Sequence, residues 1–160
     1  MAIQVGDRIP SVTLRRLGPD GMEEFDTAAL FAGKKAVLFS VPGAFTPTCS
    51  AKHMPGFVNN IDQLRGKGVD AVYCLSVNDP FVMKAWAKDQ GADGKVEMIP
   101  DGSAVFAKAL GLEMDATANG LGTRSRRFAL IVDDGVVTEA LVEEPGAFEV
   151  SSAEYVLGKL

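Results

Sequence analysis

The sequence predicts a mixed α/β fold: a central sheet with helices on both faces and a β-hairpin at its N-terminal end. Three observations predict it. Residues 36–41 and 69–77 form apolar runs that suit strands buried on both sides. Segments with helical apolar spacing alternate with those runs. Late in the chain, residues 127–132 and 136–142 bracket Asp133-Asp134-Gly135, a turn that adds antiparallel strands to the sheet.

Taken in order, residues 11–16 and 23–26 flank Gly18-Pro19-Asp20-Gly21, whose turn residues define the N-terminal hairpin. The strand at 36–41 leads into a helix in which Met54, Phe57, Val58, Ile61 and Leu64 share one apolar face. Pro55 falls inside that pattern and predicts a kink near the first turns. The strand at 69–77 is followed by a helix starting at Pro80, with Asp79 as N-cap. Phe81, Val82, Ala85 and Trp86 are its expected buried stripe. A short strand at 96–99 and a short helix at 103–110 complete the alternation, and Ser151 is expected to cap a closing helix that runs to about Leu157.

Composition narrows the function. The 160 residues, 47% hydrophobic, are expected to form a single domain, residues 1–160. The net charge of -5 makes nucleic acid and anionic membrane poor partners. Two cysteines and one histidine, widely spaced, make neither a disulfide framework nor a zinc site. No N-terminal signal pattern and no bilayer-length apolar run is seen, so a soluble, cytoplasmic protein is expected. Gly120-Leu121-Gly122 is not a dinucleotide fingerprint, since it lacks the third glycine and the preceding strand.

Chemistry gathers at Cys49, in the run Val41-Pro42-Gly43-Ala44-Phe45-Thr46-Pro47-Thr48-Cys49-Ser50. A cysteine between a buried strand and a helix start lies near free backbone N–H groups, which favour the reactive thiolate. Thr46 precedes Cys49 across a tight turn, so its hydroxyl can reach the sulfur or a ligand over it. Pro42 and Pro47 stiffen the loop and remove backbone donors. A cation has to come from elsewhere in the chain, and Arg127, beside Arg124 and Arg126, is the best candidate. His53, one turn after Cys49, is either a cationic neighbour or base or, as is commoner, a packed and hydrogen-bonded ring.

These residues, with His53-Met54-Pro55-Gly56-Phe57, Leu75-Ser76-Val77-Asn78-Asp79, Trp86 and Arg126-Arg127-Phe128-Ala129-Leu130, resemble the type II (atypical) peroxiredoxins, the thiol peroxidases of the peroxiredoxin-5 type, along nearly the whole chain. The resemblance implies a thioredoxin-like fold and reduction of hydrogen peroxide and organic hydroperoxides, with no metal or other cofactor. It implies Cys49 as the peroxidatic nucleophile that becomes a sulfenic acid. Thr46 would hydrogen-bond thiolate and peroxide, Arg127 would stabilise developing charge, Pro42 would shield the pocket, and the Cys49 N–H would be a further donor. It also implies a two-fold homodimer through the surfaces around Phe45 and Phe81.

Many relatives carry a resolving cysteine where this chain has Glu149-Val150-Ser151-Ser152. Cys74 remains, at a spacing where some relatives, notably plant ones, have a resolving cysteine; its mid-strand place favours instead a buried structural residue, since a disulfide to Cys49 needs Cα atoms within about 7 Å. Glutathione, glutaredoxin or thioredoxin is therefore the expected reductant, and a separate molecule is expected to supply it, since these 160 residues hold no glutaredoxin domain of the kind some bacterial relatives carry. The alternatives are a thiol–disulfide oxidoreductase, which usually has a Cys-x-x-Cys pair that Ser50-Ala51-Lys52 does not provide, and a non-catalytic redox sensor.

Overall fold

A computed structural model of the chain describes residues 2–160. The N-terminal hairpin pairs β1 (Thr13–Gly18) with β2 (Gly21–Asp26) across Pro19-Asp20. The main sheet contains β3 (Lys35–Ser40), β4 (Ala71–Ser76), β5 (Glu97–Pro100), β8 (Phe128–Asp133) and β9 (Val136–Val142), in spatial order β5-β4-β3-β8-β9. Between β5 and β8 a separate hairpin joins β6 (Glu113–Ala116) to β7 (Gly122–Ser125). The β3–β4 and β4–β5 pairs are parallel, while β3–β8 and β8–β9 are antiparallel. This is the expected mixed sheet.

The unbroken apolar runs have a simple cause. Successive side chains of a strand point to opposite faces, and here each face has its own core. Val37, Phe39, Val72, Cys74, Ala129 and Ile131 face one core; Leu38, Tyr73, Leu75, Leu130 and Val132 face the other. The first is covered by α1 (Met54–Asn59), α2 (Ile61–Gly66), α3 (Pro80–Asp89) and α5 (Ala153–Lys159); the second takes in Phe106 and Leu110 of α4 (Val105–Leu110).

Several boundaries differ from expectation. The helix after Cys49 breaks at Asn60, which has left the helical region, and Pro55 follows a wider turn over residues 49–53, an irregularity in the region where a kink was expected. In α3 the buried residues are Met83, Trp86 and Ala87, while Phe81 is 64% exposed and Ala85 also faces solvent. Asp79 does cap α3, accepting from the Val82 N–H at 2.8 Å. The cap of α5 is Ser152, which accepts from the Tyr155 N–H, because Ser151 is committed elsewhere. The β6–β7 hairpin encloses the Gly120-Leu121-Gly122 segment and has no strong apolar alternation to announce it.

Helix α4 starts at Val105 rather than 103, and its free N–H groups are met from outside the helix. The Asp101 carboxylate accepts from Phe106 at 3.1 Å and from Ala107 at 2.8 Å. Asp101→Ala strands two buried donors, so urea denaturation is expected to show a loss of about 1–3 kcal/mol, the usual cost of an unmet buried group.

Candidate active site

The helix that carries Cys49 begins at Pro47. The Ser50 N–H is the first to find a carbonyl, Thr46 O at 3.0 Å, which leaves Thr48 and Cys49 in the first turn, where N–H groups lack intrahelical partners. Pro47 fits there because it has no N–H to satisfy. Residues 49–53 then form a wider turn, closed by Met54 N–H donating to Cys49 O. The cysteine thus lies at a helix start, as expected, and is fully buried.

Sheet register brings the cation to it. Strand β3 ends at Ser40, which faces Phe128 at the start of β8. The Cys49 loop follows β3 and Arg127 precedes β8, so two segments far apart in sequence meet at one end of the sheet. A buried hydrogen bond from Ser40 Oγ to Ser125 Oγ, 2.7 Å, ties the ends together. Arg127 Nη2 donates to Cys49 Sγ at 3.2 Å, and its Nη1 donates to His53 Nδ1 at 2.8 Å. Its guanidinium carbon lies 5.7 Å from the centroid of the Phe148 ring.

His53 has one possible protonation pattern. A guanidinium only donates, so Nδ1 accepts; the Ser151 carbonyl only accepts, so Nε2 carries the proton across 2.9 Å. The ring is fully buried among Phe39, Phe57 and Phe148. Burial, and secondarily the charge on Arg127, bring its pKa down to about 3 against the pull of the Ser151 hydrogen bond. His53 is therefore a neutral brace for Arg127, not a cation or a base.

Thr46 is less direct than its position suggested. Its Oγ1 donates to Gly43 O at 2.6 Å, within the loop, so its proton is not on the sulfur. Its oxygen lone pairs are what it can offer a ligand. Pro42 lines a cleft of about 410 Å³ together with Thr48, Met114, Arg126, Arg127 and Phe148. The cleft thus reaches the guanidinium that holds Cys49, while the sulfur itself is covered.

Arg124 is the residue the sequence reading passed over. Its Nε donates to Leu121 O at 2.9 Å and its Nη1 to Pro42 O at 3.2 Å, pinning the cysteine loop to β7. Gly43 makes room for this: a Cβ there would lie 2.7 Å from Arg124 Nη1 and 3.1 Å from Thr46 Cγ2. On the other side, Asn78 Oδ1 accepts from the Ala44 N–H at 2.9 Å. Between these anchors Phe45 is held at φ 65°, a left-handed conformation that costs an ordinary residue about 1 kcal/mol or more. Its ring is 53% exposed.

Cys74 differs from Cys49 in its place and its partners, not in its burial. It lies inside β4, opposite Phe39 of β3 and Met98 of β5, and is fully buried. Burial pushes its pKa well above the ordinary thiol value; proximity to Cys49 adds to the rise and Arg127 opposes it. It stays a thiol with no charged donor in contact.

Comparison with known proteins agrees with this geometry. Residues 4–157 match the Redoxin family. Peroxiredoxin-2C of Oryza sativa subsp. japonica is 52% identical, with 99% of this chain and 98% of that protein covered. Chloroplastic peroxiredoxin-2E of Arabidopsis thaliana is 50% identical over 99% of this chain and 70% of its own. The crystal structure of reduced Prx3 of Vibrio vulnificus in complex with hydrogen peroxide superposes with a TM-score of 0.94, at 53% identity and 98% coverage of each chain. The chain belongs to the redoxin family and, within it, to the peroxiredoxins. It has their thioredoxin-like fold and is a thiol-dependent peroxidase.

The His53 brace has a measurable acid dependence. The folded ring takes up a proton only near pH 3, whereas the unfolded chain does so near 6.5, so the unfolded state binds more protons between those values. The contribution is complete above the unfolded value and is lost as pH falls, by at most about 1.4 kcal/mol per unit. Denaturant melts at pH 7 and pH 5 should show this loss in the wild type and a smaller one in His53→Gln. Equal losses would remove His53 from the account.

Proposed function

We propose that Cys49 reduces hydrogen peroxide and organic hydroperoxides, with Arg127 as its electrostatic partner and a separate thiol as reductant. The contact between Arg127 Nη2 and Cys49 Sγ, 3.2 Å at the edge of a cleft, carries this reading. The Cys49 thiolate attacks one peroxide oxygen, the O–O bond breaks, and its electron pair leaves on the second oxygen, which takes a proton to give water or an alcohol. The sulfur is left as a sulfenic acid. Arg127 offsets charge that moves from sulfur to the leaving oxygen. Thr46 Oγ1 accepts the hydrogen bond of the bound peroxide, the Cys49 N–H donates to it, and Pro42 limits access of water.

An external thiol then attacks the sulfenic sulfur, releasing water and leaving a mixed disulfide, and a second thiol frees Cys49. The burial of Cys74 and its raised pKa favour this one-cysteine cycle over an internal disulfide. Glutathione with glutaredoxin, or thioredoxin, fits the role, in a reducing cytoplasmic setting. The exposed rings of Phe45 and Phe81 lie beside loops that the Ala44–Asn78 hydrogen bond draws together, and they suit the centre of a homodimer interface.

Stopped-flow peroxide consumption with excess thiol tests the chemistry. Cys49→Ser should show no turnover, and Arg127→Ala should be slower by about 10²-fold, typical for loss of one preorganised donor. Cys74→Ser should match the wild type with glutathione and glutaredoxin; loss of turnover in that variant would replace the one-cysteine cycle with an internal disulfide. For the assembly, Phe81→Glu should convert a dimer to a monomer in sedimentation velocity, and a wild-type monomer at high concentration would defeat the interface.

A further inference from the structure

Glu143, directly after β9, is 3% exposed, and one of its oxygens accepts four hydrogen bonds. Oε2 accepts from the N–H groups of Glu149, Val150 and Ser151 at 2.8, 2.9 and 2.8 Å, and from Ser151 Oγ at 2.7 Å. A desolvated carboxylate is costly unless such donors meet it, so the 149–151 turn and the carboxylate fix one another. Among the described residues no cation lies within ion-pair distance of it.

The backbone of the same residue holds the catalytic arginine. Glu143 N–H donates to Arg127 O at 3.0 Å, and Arg126 Nη2 donates to Glu143 O at 2.8 Å. A closed ring results. It runs from the Arg127 main chain to Glu143, through the carboxylate to Ser151, from the Ser151 carbonyl to His53, and from His53 back to the Arg127 guanidinium. Arg127 is gripped at both ends, and the far grip depends on one carboxylate oxygen.

We infer that Glu143 is a positioning residue for peroxide reduction, acting through Ser151 and His53 to hold the Arg127 guanidinium against Cys49. It need touch no reacting atom. The inference rests on the peroxidase reading given above. An uncharged amide in its place keeps the size and loses the charge that gathers four donors.

His53 is the only histidine in the chain, so its imidazole nitrogens can be followed by NMR without ambiguity. Reduced wild type and Glu143→Gln are compared by that spectrum, by kcat/KM for hydrogen peroxide with excess thiol, and by thermal melting. Glu143→Gln should lower kcat/KM by about 10-fold or more, towards the ~10²-fold that a misplacement of ~1 Å costs. The His53 Nε2–H signal should move in the same sample. Should that variant not fold, Ser151→Ala removes one of the four donors and should give smaller changes of the same kind. A folded variant with a lower melting temperature but unmoved His53 signals and wild-type kcat/KM would overturn the inference. A wild type without Cys49-dependent turnover would instead defeat the peroxidase reading, and is distinguished because it involves no Glu143 variant.

Discussion

Everything at this site depends on a guanidinium held in contact with a sulfur that solvent does not reach. Arginine suits the task for geometric reasons. Its fork is planar and permanently charged, so one nitrogen can face Cys49 while another faces His53. A lysine ammonium is a single point and could not be steered from both sides. The protein uses sheet register to bring Arg127 near, and the braced histidine to set its angle. The cleft meets this assembly at Arg127 and Pro42.

A charged histidine would undo the arrangement. With both ring nitrogens protonated, Nδ1 would point a hydrogen at a guanidinium that can only donate, and two positive charges would share a buried site. Aromatic walls prevent this by making the charged ring costly. Phe39 and Phe57 stack at 4.1 Å between ring centroids, and His53 packs against both. The apolar character of β3 thus does two things: it fills a core, and it keeps a polar group neutral. The same low dielectric strengthens the Arg127 contact with sulfur.

The fold was legible where a physical rule acts over many residues. Strands buried on both faces read as unbroken apolar runs, and the cysteine loop declared itself through its prolines and its place before a helical pattern. What stayed hidden depended on one residue or on distance. The β6–β7 hairpin is short and largely exposed, so no apolar period marks it. The cap of α4 comes from Asp101, before an intervening left-handed Ala104, a pattern outside the usual cap position. At the site, Cys49 and Arg127 were both foreseen. The direction of the Thr46 proton was not, since loop geometry alone decides whether it meets sulfur or Gly43 O. Arg124 was visible only as part of a basic cluster; Gly43, small for no evident turn reason, was the signal for its close approach.

The contrast between the two cysteines shows how little of reactivity belongs to the residue itself. Both are fully buried, and both belong to the same core cluster. Cys74 sits between neighbouring strands whose backbone polar groups are spent on one another, and burial, with Cys49 adding to it and Arg127 opposing it, keeps the sulfur a thiol. Cys49 stands at a helix start with an arginine donor 3.2 Å from its sulfur, a contact that Cys74 lacks. Any movement of Cys74 out of β4 would open its pairing with β3 on one side and with β5 on the other. On the proposed one-cysteine cycle no such opening is needed. On that proposal peroxide and external thiol act in turn at a single sulfur, held by the arginine that lines the cleft.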